Sequence, residues 1–153
     1  MSDLQFGQPR PGLVYRDRPS AYGIAVHAGE VALVRVVLQG RDPFYDLPGG
    51  GLDDGETESQ GLTREFGEET GLVVRPGRLI ARARQYMIST HDEPFNSLAA
   101  FYETAILGAD DALKIEDSHT LVWRPAHAAL TLLRHDGHAW ALAAWLRARE
   151  GRG

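Results

Sequence analysis

Three glutamates, Glu65, Glu68 and Glu69, are spaced i, i+3 and i+4. On a helix that spacing sends all three carboxylates from nearly one face, with Glu58 two turns upstream on the same side. Like charges stacked this way destabilise a helix by roughly a few tenths of a kcal/mol per pair, so something cationic is expected among them. The chain has no cysteine, and none of its six histidines has a metal-ligand spacing. An oxygen-only donor set suits a hard cation, magnesium or manganese, better than zinc. The glycine loop Gly49-Gly50-Gly51 just before the helix lets backbone approach closely, and a loop carbonyl could add a ligand. Magnesium retains waters and takes up substrate phosphates, so these residues alone point to metal-assisted chemistry on a phosphate or pyrophosphate.

A helix must carry those carboxylates. Thr57 and Gln60 have capping-box spacing, Glu58 lies in the first turn, and Gly71 is a good C-terminal stop. The helix is predicted to run to about Thr70, with Leu62 and Phe66 marking its buried face. Upstream, Tyr22–His27 and Val31–Leu38 read as a hairpin across Ala28-Gly29-Glu30, and Phe44–Leu47 as a short strand. Residues 1 to about 20 read as a tail, with a first strand expected near Leu13–Tyr15. Downstream, Leu79–Met87 and Leu98–Ala105 are strand candidates, Gly108–Ser118 an acidic loop, and Thr120–Trp123 a last strand. Ala126–Leu133 and His138–Arg149 read as terminal helices, the second with an apolar side of Trp140, Leu142, Ala143, Trp145 and Leu146. Strands first and last with helices between and after fit a mixed sheet between helices, in one α/β domain over residues 1–153.

The segment from Gly50 reads Gly50, five residues, Glu56, seven residues, Arg64-Glu65-Phe66, one residue, Glu68-Glu69, one residue, Gly71-Leu72. It resembles the box of the Nudix (MutT-like) hydrolase family, G-x5-E-x7-R-E-U-x-E-E-x-G-U with U a bulky apolar residue, and all seven invariant letters match. At about 6% usage per residue type, such a match arises by chance on the order of once per billion start positions. Two features depart mildly: Phe66 stands where an aliphatic residue is commoner, and Gly61 costs a helix about 1 kcal/mol against alanine.

The resemblance implies a Nudix-type α/β/α sandwich with a mixed sheet. It implies a magnesium- or manganese-dependent pyrophosphohydrolase that cleaves a nucleoside diphosphate linked to another moiety. Carried over by motif position, Glu65, Glu68 and Glu69 become metal ligands, with the Gly49 or Gly50 carbonyl beside them. Arg64 orients Glu65 and pairs with Glu56, while Glu56, Gly50 and Gly71 are mainly structural. Arg64, Glu65, Glu68 and Glu116 form the catalytic expectation. The base in this family is a box glutamate or an acid on a later loop. Glu116, on the loop Glu116-Asp117-Ser118-His119, is the candidate extra ligand or base, with a solvated surface acid as the alternative. Tyr45 beside the glycines and Trp123 at a strand end are candidate substrate contacts, each with a packing role as the alternative. His91 and His119 are loop histidines within plausible reach of substrate, and Arg82 and Arg84 share a strand face that could meet phosphates or solvent.

Composition narrows the partners. The chain of 153 residues is 43% hydrophobic with a formal net charge of -5, which argues against a generic nucleic-acid or anionic-membrane binder. No spanning segment or signal peptide is evident, so a soluble cytoplasmic protein is expected, with the terminal tryptophans leaving room for a homodimer. Family members acting on ADP-ribose carry a proline where this chain has Met87, and the tyrosine of dinucleoside-polyphosphate members falls at Ser89 or Thr90. A nucleoside triphosphate or nucleotide sugar stays open as substrate. The alternative is a non-catalytic Nudix-like module that senses a nucleotide or binds a partner. Such modules typically lose box carboxylates, and this chain retains every one.

Overall fold

The computed structural model describes residues 3–151; the ends of the expected tail and of the expected 1–153 domain lie outside them. Among the described residues the first strand is β1 (Leu4–Phe6), followed by β2 (Arg16–Ile24), β3 (Val26–His27), β4 (Glu30–Val36), β5 (Phe44–Asp46) and β6 (Gly49–Gly51). Helix α1 (Glu58–Thr70) follows, then the long strands β7 (Leu72–Ile88) and β8 (Pro94–Ala109). A 3-10 turn (Asp111–Leu113), β9 (His119–Pro125), α2 (Ala126–Leu132) and α3 (Asp136–Glu150) complete the order.

Two sheets result. The first has the order β1-β7-β8-β2-β6 and is mixed: β1 runs parallel to β7 and β2 parallel to β8, while β7/β8 and β2/β6 are antiparallel. In the second, β9 lies antiparallel along β4, and β3 and β5 pair with β4 as well. Strand alternation sorts side chains into two cores. Ala21, Ala25 and Ala32 face Leu62 and Phe66 of α1, whereas Tyr22, Ile24, Val31 and Leu33 face Leu133, Leu142 and Trp145 on the α2/α3 side. Helices therefore cover both sides of the strand layer, the α/β/α sandwich expected.

Several boundaries move, each for a non-local reason. Leu13–Tyr15 is a loop. The first strand is Leu4–Phe6, made by a ladder to Ala83–Gln85 that no local pattern announces. Gly49–Gly51, expected as a loop, is a strand on the edge of β2. β7 and β8 extend well beyond their expected limits, with register shifts around Pro76–Leu79 that interrupt the two-residue alternation. Ile24 ends β2 in one sheet and Val26 opens β3 in the other, so the expected Tyr22–His27 strand changes sheets at Ala25. The hairpin itself is present: Ala28 and Gly29 both have positive φ, 52° and 79°, the twist a two-residue hairpin needs.

Helix α1 matches the expectation closely. The Thr57 hydroxyl accepts the Gln60 N–H, the Gln60 side-chain oxygen accepts the Thr57 N–H, and Gly71 closes the helix at φ 77°. Leu62 and Phe66 are fully buried. Gly23 makes room for Phe66, since a Cβ there would stand 2.6 Å from the phenyl ring. Trp145 is buried and Trp140 packs against Phe6 at 5.7 Å between ring centroids, so both tryptophans find contacts inside the chain. Among the described residues no helix is long and apolar enough to cross a membrane.

Candidate functional site

The box folds around Arg64. Its guanidinium donates to Glu56 at 2.9 and 3.0 Å, to Glu65 at 3.1 Å, to Glu68 at 3.0 Å and to the Gly51 carbonyl at 3.2 Å. Hydrogen bonds from Arg64 and from the Asp53 backbone N–H hold Glu56 below the usual carboxylate range. The bonds to Glu56, and then the neighbouring Glu65 charge, outweigh partial burial and raise Arg64 further. One planar fork thus ties the end of β6 to two acids of α1.

Glu65 and Glu69 face a cleft of about 270 Å³ that Gly49–Gly51, Glu116 and His119 also line. Glu69 is only 6% exposed. It accepts the Gly49 N–H at 2.9 Å and lies 3.3 Å from His119 Nε2. Burial, then the Glu65 charge, push Glu69 well above the ordinary carboxylate value, although the Gly49 bond opposes this. Burial raises Glu65 to about 7 against the pull of Arg64. Burial lowers His119, which also contacts Ser118 Oγ at 2.9 Å. Gly50 lets the Glu65 carboxylate pack close, because a Cβ there would stand 3.0 Å from it and the glutamate would have to give way.

Glu116 reaches the cleft through α1 itself. The Glu68 carbonyl accepts the Ile115 and Glu116 N–H groups, each at 3.0 Å, and pins that loop to the helix. Among the described residues the Glu116 carboxylate accepts no hydrogen bond. Other expectations separate from this group. Glu58 turns to Arg82 at 2.7 and 2.9 Å and to Tyr102 at 2.6 Å, so neither it nor Arg82 joins the cleft. Arg84 is not among the cleft residues either, while His91 is. Tyr45 and Trp123 are half-buried and pack against the two cores; neither lines the cleft.

Sequence reasoning missed Arg18, Asp46 and Arg134 in the cleft wall. Arg134 grips Asp46 at 2.9 and 3.3 Å and stacks over the Phe44 ring at 3.7 Å. No local signal marks them, because a bridge between Tyr45 and Leu133 brings those distant segments together.

The donor set fits a hard divalent cation. Glu65, Glu68, Glu69 and the glycine carbonyls offer only oxygen, and burying Glu65 beside Glu69 costs free energy that a cation offsets. Among the described residues no three acidic or imidazole side chains are already gathered as a cage; Arg64 holds two of the glutamates instead.

Known proteins share this fold. The NUDIX domain model matches residues 17–146. An 8-oxo-(d)GTP phosphatase of Mycolicibacterium smegmatis is 31% identical over 123 residues, 80% of this chain and 36% of that protein. An RNA pyrophosphohydrolase of Aliivibrio fischeri is 42% identical over 43 residues, 28% of this chain and 25% of that protein. The chain therefore spans about a third and a quarter of the length of these relatives. Among solved structures, a NUDIX hydrolase from Nitrosomonas europaea superposes with a TM-score of 0.73 at 17% identity, covering 87% of this chain and 90% of that one. A MutT protein from Methanosarcina mazei gives 0.67 at 20%, covering 90% and 99%. The structural likenesses establish the fold, and the match over residues 17–146 establishes that the chain belongs to the NUDIX family.

Proposed function

We propose that the chain is a divalent-metal-dependent hydrolase of a phosphoric anhydride bond in a nucleotide-type substrate, a nucleoside diphosphate linked to another moiety. The observation that carries this reading is the burial of Glu65 and Glu69 together against the Gly49–Gly51 strand, an arrangement that favours a bound cation. Glu65, Glu68 and Glu69, with the Gly49 or Gly50 carbonyl, are the groups that would hold magnesium or manganese. When bound, the ion neutralises the diphosphate and acidifies the attacking water.

The chain supplies the rest. Glu116 is the cleft carboxylate without a hydrogen bond among the described residues, which suits it to accept a proton. That proton leaves water as its oxygen bonds to phosphorus, and the anhydride P–O bond breaks with its electron pair on the departing phosphate. Arg18, whose guanidinium lies against Gly51, lines the cleft wall and is the cation that would meet substrate phosphates there. Arg64 is a positioning residue: it acts through Glu65 and Glu68. The likeness to an 8-oxo-(d)GTP phosphatase over most of the chain supports a nucleotide substrate of the triphosphate type, with a nucleotide sugar as the other candidate.

The test is a panel of nucleoside triphosphates, nucleotide sugars and dinucleoside polyphosphates with magnesium, products read by mass, and Glu69→Gln alongside. Cleavage at a diphosphate by the parent chain and not by the variant is expected. Ligand-induced stabilisation without cleavage of any compound would replace this reading with a nucleotide-binding module.

A further inference from the structure

Beside the catalytic cleft lies a second cavity of about 460 Å³, large enough for a nucleotide-sized group. The two share Met87, Ile88 and Arg134 as a common wall, so a ligand can extend from one into the other. Its own lining is chemically distinct. Arg10 and Arg41 supply cationic forks, and Tyr15 and Tyr86 supply aromatic surface.

The cavity is built rather than incidental. The Tyr15 and Tyr86 rings meet edge to face, 5.2 Å apart and at 73°. The Tyr15 hydroxyl accepts the Arg10 N–H at 3.1 Å, which fixes the 10–15 loop over β7. Among the described residues the Arg10 side chain has no ion-pair partner. Arg41 pairs with Asp92, itself 79% exposed, and an exposed pair of this kind exchanges readily for a better anion. Arg134 is already held by Asp46, so it stands as a fixed partition between the cavities.

Resting on the hydrolase reading above, we infer that this cavity is a second-nucleotide subsite. It takes a phosphate on Arg10 and Arg41 and a base against Tyr15 and Tyr86, belonging to the substrate moiety beyond the scissile anhydride. Guanidinium forks match phosphate oxygens, and an aromatic face accepts any base. The moiety can come from a free dinucleotide or from the 5′ end of an RNA, which share this chemistry.

The experiment measures equilibrium binding by calorimetry, with calcium in place of magnesium. The probes are ATP, diadenosine tetraphosphate and the 5′-triphosphorylated dinucleotide pppApG. At least one two-nucleotide probe is expected to bind about tenfold tighter than ATP, and the one that does identifies the source. The double variant Arg10→Ala/Arg41→Ala is expected to lose that advantage while ATP affinity holds within about twofold; Arg10→Lys/Arg41→Lys retains part of it. Equal affinity of all three probes, or equal weakening of ATP in the alanine variant, overturns the subsite. Arginine-dependent binding in these titrations, together with no cleavage of any compound in the magnesium panel described above, keeps the subsite and removes the hydrolase reading, so the two fail separately.

Discussion

Arg64 and Glu56 form a two-pronged ion pair, Nε on one carboxylate oxygen at 2.9 Å and Nη2 on the other at 3.0 Å. The pair fixes the plane of the guanidinium and leaves its remaining nitrogen edge to hold Glu65 and Glu68. Arg64→Ala is expected to lower activity about tenfold to a hundredfold and to raise the metal concentration needed for half-maximal rate. Arg64→Lys restores the charge but not the fork, so only partial recovery is expected. A metal titration of kcat checks both, and an unchanged metal requirement in Arg64→Ala removes the positioning role.

Glu68→Gln and Glu69→Gln each keep side-chain shape and an acceptor oxygen while deleting a charge. Turnover is expected to fall at least about a hundredfold in each, with the thermal unfolding curve still cooperative. Near-parental kcat in both, measured with saturating magnesium, would contradict the ligand assignment.

Gly49 sits at φ 142°, and a Cβ there would collide with the Ala21 carbonyl of β2. Gly49→Ala combines backbone strain with displacement of the N–H that Glu69 accepts. A loss of more than about 2 kcal/mol is expected, read as a lower urea midpoint. A midpoint equal to the parent would show that β6 can shift without cost.

His135 and His138 give the fold an acid-sensitive side. Burial lowers His135 to about 4 and His138 to about 3, with Asp46 opposing and Arg134 reinforcing the effect. Both folded values lie below the unfolded value near 6.5, so the unfolded chain binds protons first. Their contribution is intact above about pH 6.5 and is lost as pH falls toward 4, by about 1.4 kcal/mol per pH unit for each histidine. Urea unfolding at a series of pH values should show that slope. His138→Gln should remove one histidine's share of it, whatever its stability at neutral pH.

The box was legible because a helix is local. Glutamate spacing, the Thr57–Gln60 cap and the Gly71 stop all act within a few residues, and each stands where expected. The opposite wall was not legible, because Arg18, Asp46 and Arg134 come from separate segments joined by strand pairing. Tyr45 illustrates the difficulty. Its position before the glycines leaves substrate contact and packing equally open; Asp46, the next residue, lines the cleft while half-buried Tyr45 packs against the core. Successive strand residues point to opposite sides, so an error of one position exchanges a site residue for a core residue.

The parallel pairing of β2 with β8 sets Arg16 opposite Phe95 and Ile24 opposite Glu103. On the ribosome, β2 must therefore wait until Phe95–Glu103 have been made before the edge facing β8 is covered. β6, and with it the glycine wall of the cleft, hangs on that same waiting strand. Such distant partners make closure late and slow compared with a helical bundle, and they leave an unpaired strand edge open during synthesis. Folding intermediates of this protein are thus expected to carry a formed acidic helix before the cleft beside it exists.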